Sequence, residues 1–219
     1  MQVAVDGPAS SGKSTISKIL ASEFSLIYLD TGAMYRAGAY LKLKYKIIGE
    51  PFYELLRRTD FIFVGAGKPF VLKSPNRRED VSAAIRTPEV TAATSDVAAD
   101  GEVRRILTAK QQKIAEGADI IMDGRDIGTV VLPNADIKFF LIASSEERAR
   151  RRTIEWRVQG KNVIYEDVLK DISERDKHDI SRENAPLKKA PDAKEIDTTL
   201  LTIDEVVEIM RVCIREIAG

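Results

Sequence analysis

Short apolar runs without polar alternation stand out at Gln2 to Val5, Leu26 to Leu29, Ile120 to Met122 and Ile137 to Ile142. They are rich in β-branched or aromatic residues, as expected of strands buried on both faces of a parallel sheet. Between and after them the apolar spacing changes to that of a helix. Lys13 to Phe24 repeats through Ile16, Ile19, Leu20 and Phe24, and further helical stretches run over Glu102 to Glu116, Glu146 to Val158, Tyr165 to Asp179 and Ile203 to Ile217. Strands that alternate with helices predict an α/β fold with a doubly wound parallel sheet. One stretch breaks this rhythm. Asp60 to Val64, Pro69 to Leu72 and Arg78 to Val81 are strand-like runs separated by Gly65-Ala66-Gly67-Lys68 and Ser74-Pro75-Asn76, which predicts a small antiparallel β insertion.

Composition narrows the classes. The 219 residues are 44% hydrophobic, enough to bury one substantial core, so residues 1–219 are expected to form one domain. Lys+Arg and Asp+Glu both total 34, so no global field recruits nucleic acid or an anionic membrane, and any site for a polyanion must be local. The single cysteine, Cys213, excludes an internal disulfide and a cysteine-rich zinc site, and a reducing cytoplasm is the expected setting. With Ile209, Val212 and Ile217 it reads as core packing at helical spacing. The N-terminus lacks a leader pattern and no window reaches membrane-spanning length.

Gly7-Pro8-Ala9-Ser10-Ser11-Gly12-Lys13-Ser14 matches G-x-x-x-x-G-K-[ST], and Thr15 follows it. The motif lies after a strand and opens a helix, where main-chain N–H groups can turn inward around a phosphate and the helix N-terminus adds positive potential. Lys13 is placed to reach the β- and γ-phosphates of ATP, and the Ser14 hydroxyl to hold Mg²⁺. Ile120-Ile121-Met122-Asp123 is a second strand ending in an acid, a common position for a residue that organises the metal shell.

A phosphate loop serves switches and motors as well as kinases. Transfer between two nucleotides brings strongly repelling anions together and therefore requires several guanidinium groups. Arg36, Arg125, Arg148, Arg151, Arg152, Arg175 and Arg182 fall at or just beyond the ends of the expected core elements. Arg148, Arg151 and Arg152 are spaced to share one helix face; a solvated basic face balanced by Glu146, Glu147 and Glu155 is the other reading. Arg175, Asp179 and Arg182, at offsets of four and three, can place two guanidinium groups around one carboxylate, or form a surface ion-pair ladder. His178 receives no role, because phosphoryl transfer needs little proton chemistry. Trp156 is expected to pack a lid helix.

With those residues placed, the chain resembles the bacterial cytidylate kinase family from end to end. The segments that carry the resemblance include the phosphate loop through Thr15, Leu29-Asp30-Thr31-Gly32-Ala33-Met34-Tyr35-Arg36 and Asp123-Gly124-Arg125-Asp126-Ile127-Gly128-Thr129-Val130-Val131. They continue with Ser144 to Arg151, Glu174 to Arg182, Ala185-Pro186-Leu187 and Ile196-Asp197-Thr198-Thr199. The resemblance implies a CMP or dCMP acceptor whose phosphate is held by Tyr35, Arg36 and Arg125, with Ser95, Arg104 and Asp126 on the cytosine edge. Asp179, Arg175 and Arg182 would take the sugar, and Thr31 stands where the family often has serine. It also implies a monophosphate-binding insertion, about residues 37–100. Direct in-line transfer from ATP is expected, with Lys13, Arg125, Arg148 and Arg151 as the catalytic set and a helical lid, about residues 148–162 with Gly160 as hinge, closing over the site. ATP, CMP and dCMP are the expected partners of a monomer. A small P-loop kinase for UMP, AMP or a metabolite such as shikimate shares the donor site; a non-catalytic ATP-dependent switch would lack the arginine set.

Overall fold

The computed structural model describes residues 1–63, 70–74 and 77–218. The chain runs through β1 (Gln2–Asp6), α1 (Lys13–Glu23), β2 (Ile27–Asp30), α2 (Thr31–Tyr45) and α3 (Glu50–Arg58). A small antiparallel sheet follows, built from β3 (Asp60–Phe63), β4 (Phe70–Ser74) and β5 (Arg77–Asp80). The chain returns to the main body through a 3₁₀ turn (Ala84–Arg86), α4 (Pro88–Ala99), α5 (Gly101–Ala115), β6 (Ile120–Gly124) and a π-turn (Ile127–Val131). It ends with β7 (Ile137–Ile142), α6 (Ser145–Val158), α7 (Tyr165–Ser181), β8 (Lys194–Asp197) and α8 (Ile203–Ala218). Among the described residues the central sheet has five parallel strands in the order β2-β6-β1-β7-β8.

The side-chain period of two divides these strands between two cores. Ala4, Leu29, Ile120 and Met122 face α2, α3 and α5. Val3, Val5, Ile121, Phe139 and Leu141 face Ile16 and Leu20 of α1 and Met210 and Ile214 of α8. Both faces are therefore covered, as the unalternating runs require. A third, small cluster of Ala149, Val168 and Ile172, with Trp156 against it, joins α6 to α7.

Two expectations are corrected. The run at Leu26 to Leu29 is not buried on both faces, because β2 is an edge strand and Ile27 is 51% exposed. On α8 the buried positions are Val206, Val207, Met210 and Ile214, whereas Ile209, Val212 and Ile217 face outward and Cys213 is half-buried at the margin. The antiparallel insertion is present; its expected turns at Gly65-Ala66-Gly67-Lys68 and Pro75-Asn76, with Val64 and Pro69, lie outside the described residues.

Among the elements that the periodicity did not signal, α2 and β8 have weak apolar contrast, whereas α3 is strongly amphipathic. The buried stripe of α2 includes Ala33, Ala37, Gly38 and Ala39, and a Cβ on Gly38 would stand 3.3 Å from Val97 Cγ1, so small residues let α2 approach α4. In α3 the buried residues are Phe52 and Leu56, and in β8 the one buried residue is Ile196.

Candidate active site

Because the strands are parallel, the carboxyl ends of β1, β2 and β6 meet at one edge, where open α/β sheets bind ligands. A cleft of about 980 Å³ opens there. At its floor the loop after β1 is tightly specified. A Cβ on Gly7 would lie 2.0 Å from the Leu141 carbonyl oxygen, and Gly12 adopts φ of 93° to open α1. Ser10 also has positive φ, and its buried hydroxyl has no protein partner. Lys13 is buried, donating to Pro8 O at 2.6 Å and Ser11 Oγ at 3.2 Å. Burial, then the positive charge of Arg125, drives its pKa well below the usual lysine value. The loop thus gathers a buried cation and a buried hydroxyl without a protein partner where an anion gains most.

Beside the loop, Ser14 Oγ donates to Asp123 Oδ2 at 2.6 Å and Tyr28 OH to Asp123 Oδ1 at 2.8 Å. Burial, then the negative charge of Asp30, raises the Asp123 pKa despite those donors. A hydroxyl and a carboxylate in a locally negative pocket are hard oxygen donors suited to Mg²⁺. Among the described residues no cluster of three or more acidic, histidine or cysteine side chains is positioned for a metal, so such an ion would complete its shell with phosphate and water oxygens.

The opposite wall is cationic. Asp30 caps α2 by accepting from Ala33 N at 2.9 Å and holds Arg36 Nη2 at 2.7 Å. Burial acts to raise the Asp30 pKa, but Arg36 and that N–H outweigh it and the net shift is downward. Thr31 Oγ1 donates to Asp123 O at 2.7 Å, fixing the start of α2 against β6. Arg104 pairs with Asp126 in the interior and lies over the Tyr35 ring at 5.3 Å. Arg125 Nε donates to Asp179 Oδ2 at 2.8 Å, and Arg182 Nη1 stands 3.8 Å from Asp179 Oδ1. Burial pushes the Asp179 carboxyl up, but Arg125 chiefly, with Arg182 and Arg175, brings it below its ordinary value. Arg175 has no hydrogen bond or salt bridge among the described residues, and burial followed by repulsion from Arg125 lowers its pKa to about 10. Burial and the charges of Arg36 and Arg125 depress Arg152 as well, with only Glu155 at 3.7 Å opposing them. Arg36 Nε and Arg182 Nε and Nη2 are buried N–H donors without a protein acceptor.

The structure brings nearly all the candidates to this one cleft. Ala9 to Thr15 line it, as do Thr31, Tyr35, Arg36, Ser95, Arg104, Arg125, Asp126, Arg151, Arg175, Asp179 and Arg182. Gly7 and Pro8 shape the loop from behind. Arg148 is set apart. Its guanidinium donates to Ala143 O at 2.9 Å and Ala9 O at 3.2 Å and grips Asp176 with both terminal nitrogens, at 3.1 and 2.5 Å. Those protein acceptors occupy it, so the expected shared face of Arg148, Arg151 and Arg152 separates into three directions. Arg151 turns to Thr198 and Glu147, and Arg152 alone of the three joins the acceptor-side arginines. The guanidinium groups flanking Asp179 belong to Arg125 and Arg182, with Arg175 to one side. Asp30 and Arg86 also line the cleft without having been singled out by spacing. For Asp30 a signal existed, an acid at a strand end directly before a helix start; for the isolated Arg86 there was none.

A family model for cytidylate kinase matches residues 3–216. This chain belongs to the cytidylate kinase family. The chain is 50% identical over 208 residues to the cytidylate kinase of Bacillus licheniformis, covering 94% of this chain and 92% of that one. It is 47% identical over 214 residues to the cytidylate kinase of Bacillus subtilis, covering 95% and 93%. Among solved structures, an uncharacterised protein from Eubacterium ventriosum superposes with a TM-score of 0.56 at 13% identity, covering 98% of both chains, a likeness of fold alone. The family membership gives the arginine-lined cleft its chemical class, that of a phosphotransferase.

Proposed function

We propose that the protein transfers the γ-phosphate of ATP to CMP and dCMP, giving CDP and dCDP. The observation that carries this reading is the convergence of Arg36, Arg125, Arg152, Arg175 and Arg182 on the cleft faced by the phosphate loop, with buried donors on Arg36 and Arg182 that no protein atom satisfies. Such donors cost free energy unless an anion takes them. A second phosphate does so, and a switch protein has none.

Lys13 and the main-chain N–H groups of residues 9–15 hold the β- and γ-phosphates. Ser14 and Asp123 hold Mg²⁺, which supplies charge neutralisation between donor and acceptor. Tyr35, Arg36 and Arg125 orient the acceptor phosphate; Arg104 and Asp126, with Ser95, meet the cytosine edge, and Asp179 with Arg182 and Arg175 the sugar. An acceptor phosphate oxygen bonds to the γ-phosphorus as the bond to the β–γ bridging oxygen breaks and ADP leaves. That acceptor oxygen is largely deprotonated at neutral pH, since the second phosphate pKa lies near 6, so no general base is needed. Residues 37–100 form the monophosphate-binding region and residues 148–162 a lid that excludes water, on a monomer working in the cytoplasm without a nucleic-acid or membrane partner. Among the described residues no helix is long and apolar enough to cross a membrane. The test is ADP formation from ATP with CMP, dCMP, UMP, AMP and shikimate in parallel. CMP and dCMP should be turned over most efficiently, and a clear preference for AMP or shikimate would overturn the reading.

A further inference from the structure

Asp6 ends β1 in the residue directly before Gly7, yet its carboxylate bonds to the main chain just beyond Arg125 and Asp126, two residues that line the cleft. It is 3% exposed. Oδ1 accepts from the main-chain N–H of Ile127 at 2.8 Å and Oδ2 from that of Gly128 at 2.7 Å. These two N–H groups open the π-turn that follows Arg125 and Asp126 immediately in the chain. The strand end that leads into this turn is fixed by the Thr31 hydrogen bond to Asp123 O, and Gly124 packs against the turn, where a Cβ would stand 2.6 Å from Ile127 Cδ1 and 2.7 Å from Thr31 Oγ1. A Cβ on Gly128 would stand 3.0 Å from Lys138 Cδ and 3.4 Å from Asp6 Oδ2, so the main chain at Gly128 lies close against the carboxylate. Lys138 does not neutralise Asp6, because its ammonium is taken by Pro133 O at 2.6 Å and Asp192 at 2.8 Å.

We infer that Asp6 is a positioning residue for the acceptor, clamping the Ile127 and Gly128 N–H groups so that Arg125 and Asp126 stand at a fixed distance from the phosphate loop that begins at Gly7. An unpaired carboxylate buried at this depth is costly, and one serving only to end a strand could be replaced by an apolar residue. Here each carboxylate oxygen meets one donor, and the two donors open the turn that directly follows the cytosine- and phosphate-facing pair. One chain position thereby touches both subsites, through the peptide bond to the donor loop and through two hydrogen bonds to the acceptor turn. Geometry errors of about an ångström in such an arrangement cost catalysis heavily.

The inference rests on CMP being the acceptor, and the experiment separates the two ideas. Asp6→Asn keeps the shape but presents an amide NH₂ to one of the two N–H donors, so one hydrogen bond is lost. The expected result is a KM for CMP raised at least tenfold, with the KM for ATP changed less than threefold. Should the variant fail to fold, wild-type amide hydrogen exchange decides the matter. If the clamped turn is the form that binds acceptor, reciprocity requires CMP to stabilise the clamp, and exchange at Ile127 and Gly128 should slow at least tenfold on saturation with CMP. An unchanged CMP KM in a folded Asp6→Asn protein, or exchange at those amides indifferent to CMP, would overturn the inference while leaving CMP turnover by the wild type intact. Absence of CMP turnover by the wild type would instead sink the functional reading.

Discussion

Among residues, identical side chains do opposite work according to what surrounds them. Arg148 is satisfied by two carbonyls and the Asp176 carboxylate, so it ties the phosphate loop and the end of β7 to α7. Arg152, four positions on, lies among like charges. Replacing Arg148 by alanine strands a largely buried carboxylate and should cost about 3 kcal/mol of folding stability. Arg152→Ala relieves repulsion, so its melting temperature should stay at or above that of the wild type while kcat falls roughly a hundredfold, as when one transition-state donor is lost. Thermal melts and steady-state rates on the two variants check both signs. Asp6 gives a pH signature. Burial raises its pKa from 3.8 to about 6 in spite of the two N–H donors, with Asp126 adding to the rise and Lys13 opposing it. A carboxyl with a raised folded-state pKa contributes stability that is fully present below 3.8 and is lost as the pH climbs through 6. At about 1.4 kcal/mol per unit this amounts to on the order of 3 kcal/mol. The melting temperature of the wild type relative to Asp6→Asn should therefore fall by several degrees between pH 5 and pH 7.

At the level of elements, helix starts hold the acceptor side in place. Asp100 caps α5 by accepting from Glu102 N at 2.9 Å and Val103 N at 3.1 Å, and it also accepts from Tyr53 OH at 2.8 Å. The helix it opens carries Arg104 into the cleft. Asp100→Ala should cost about 1–2 kcal/mol, read by chemical denaturation, and should raise the KM for CMP more than that for ATP. The amphipathic helices Tyr165–Ser181 and Ile203–Ala218 were legible in the sequence to within a residue or two. Thr31–Tyr45 was not, because close packing against α4 demands alanine and glycine, which carry little periodic contrast.

For the molecule as a whole, α6 and α7 form a unit with its own small core, lining one side of the cleft and tied by Arg151 to Thr198 O at 2.5 Å. Trp156, the chain's one tryptophan, lies in that unit with Arg152 5.0 Å and Lys161 5.4 Å from its ring. If α6 closes over two bound nucleotides, Arg152 must move toward phosphate and away from the indole. Trp156 emission should then change more with CMP and a non-hydrolysable ATP analogue together than with the sum of each alone. A strictly additive response would argue against closure.

The sequence by itself determined four of the five strands of the central sheet and the phosphate loop, because these depend on local patterns: unbroken apolar runs, helical spacing, and glycines at fixed offsets before a lysine. It also supplied the arginines, though not their duties. Only the tertiary structure decided that Arg148 is a strut and Arg152 a cleft residue, that Asp179 stands between Arg125 and Arg182, and that Asp6 reaches 121 and 122 positions along the chain to grip a turn. A long side chain on a given helix face can end on any acceptor within its reach, and which acceptor lies there depends on strands and helices distant in sequence.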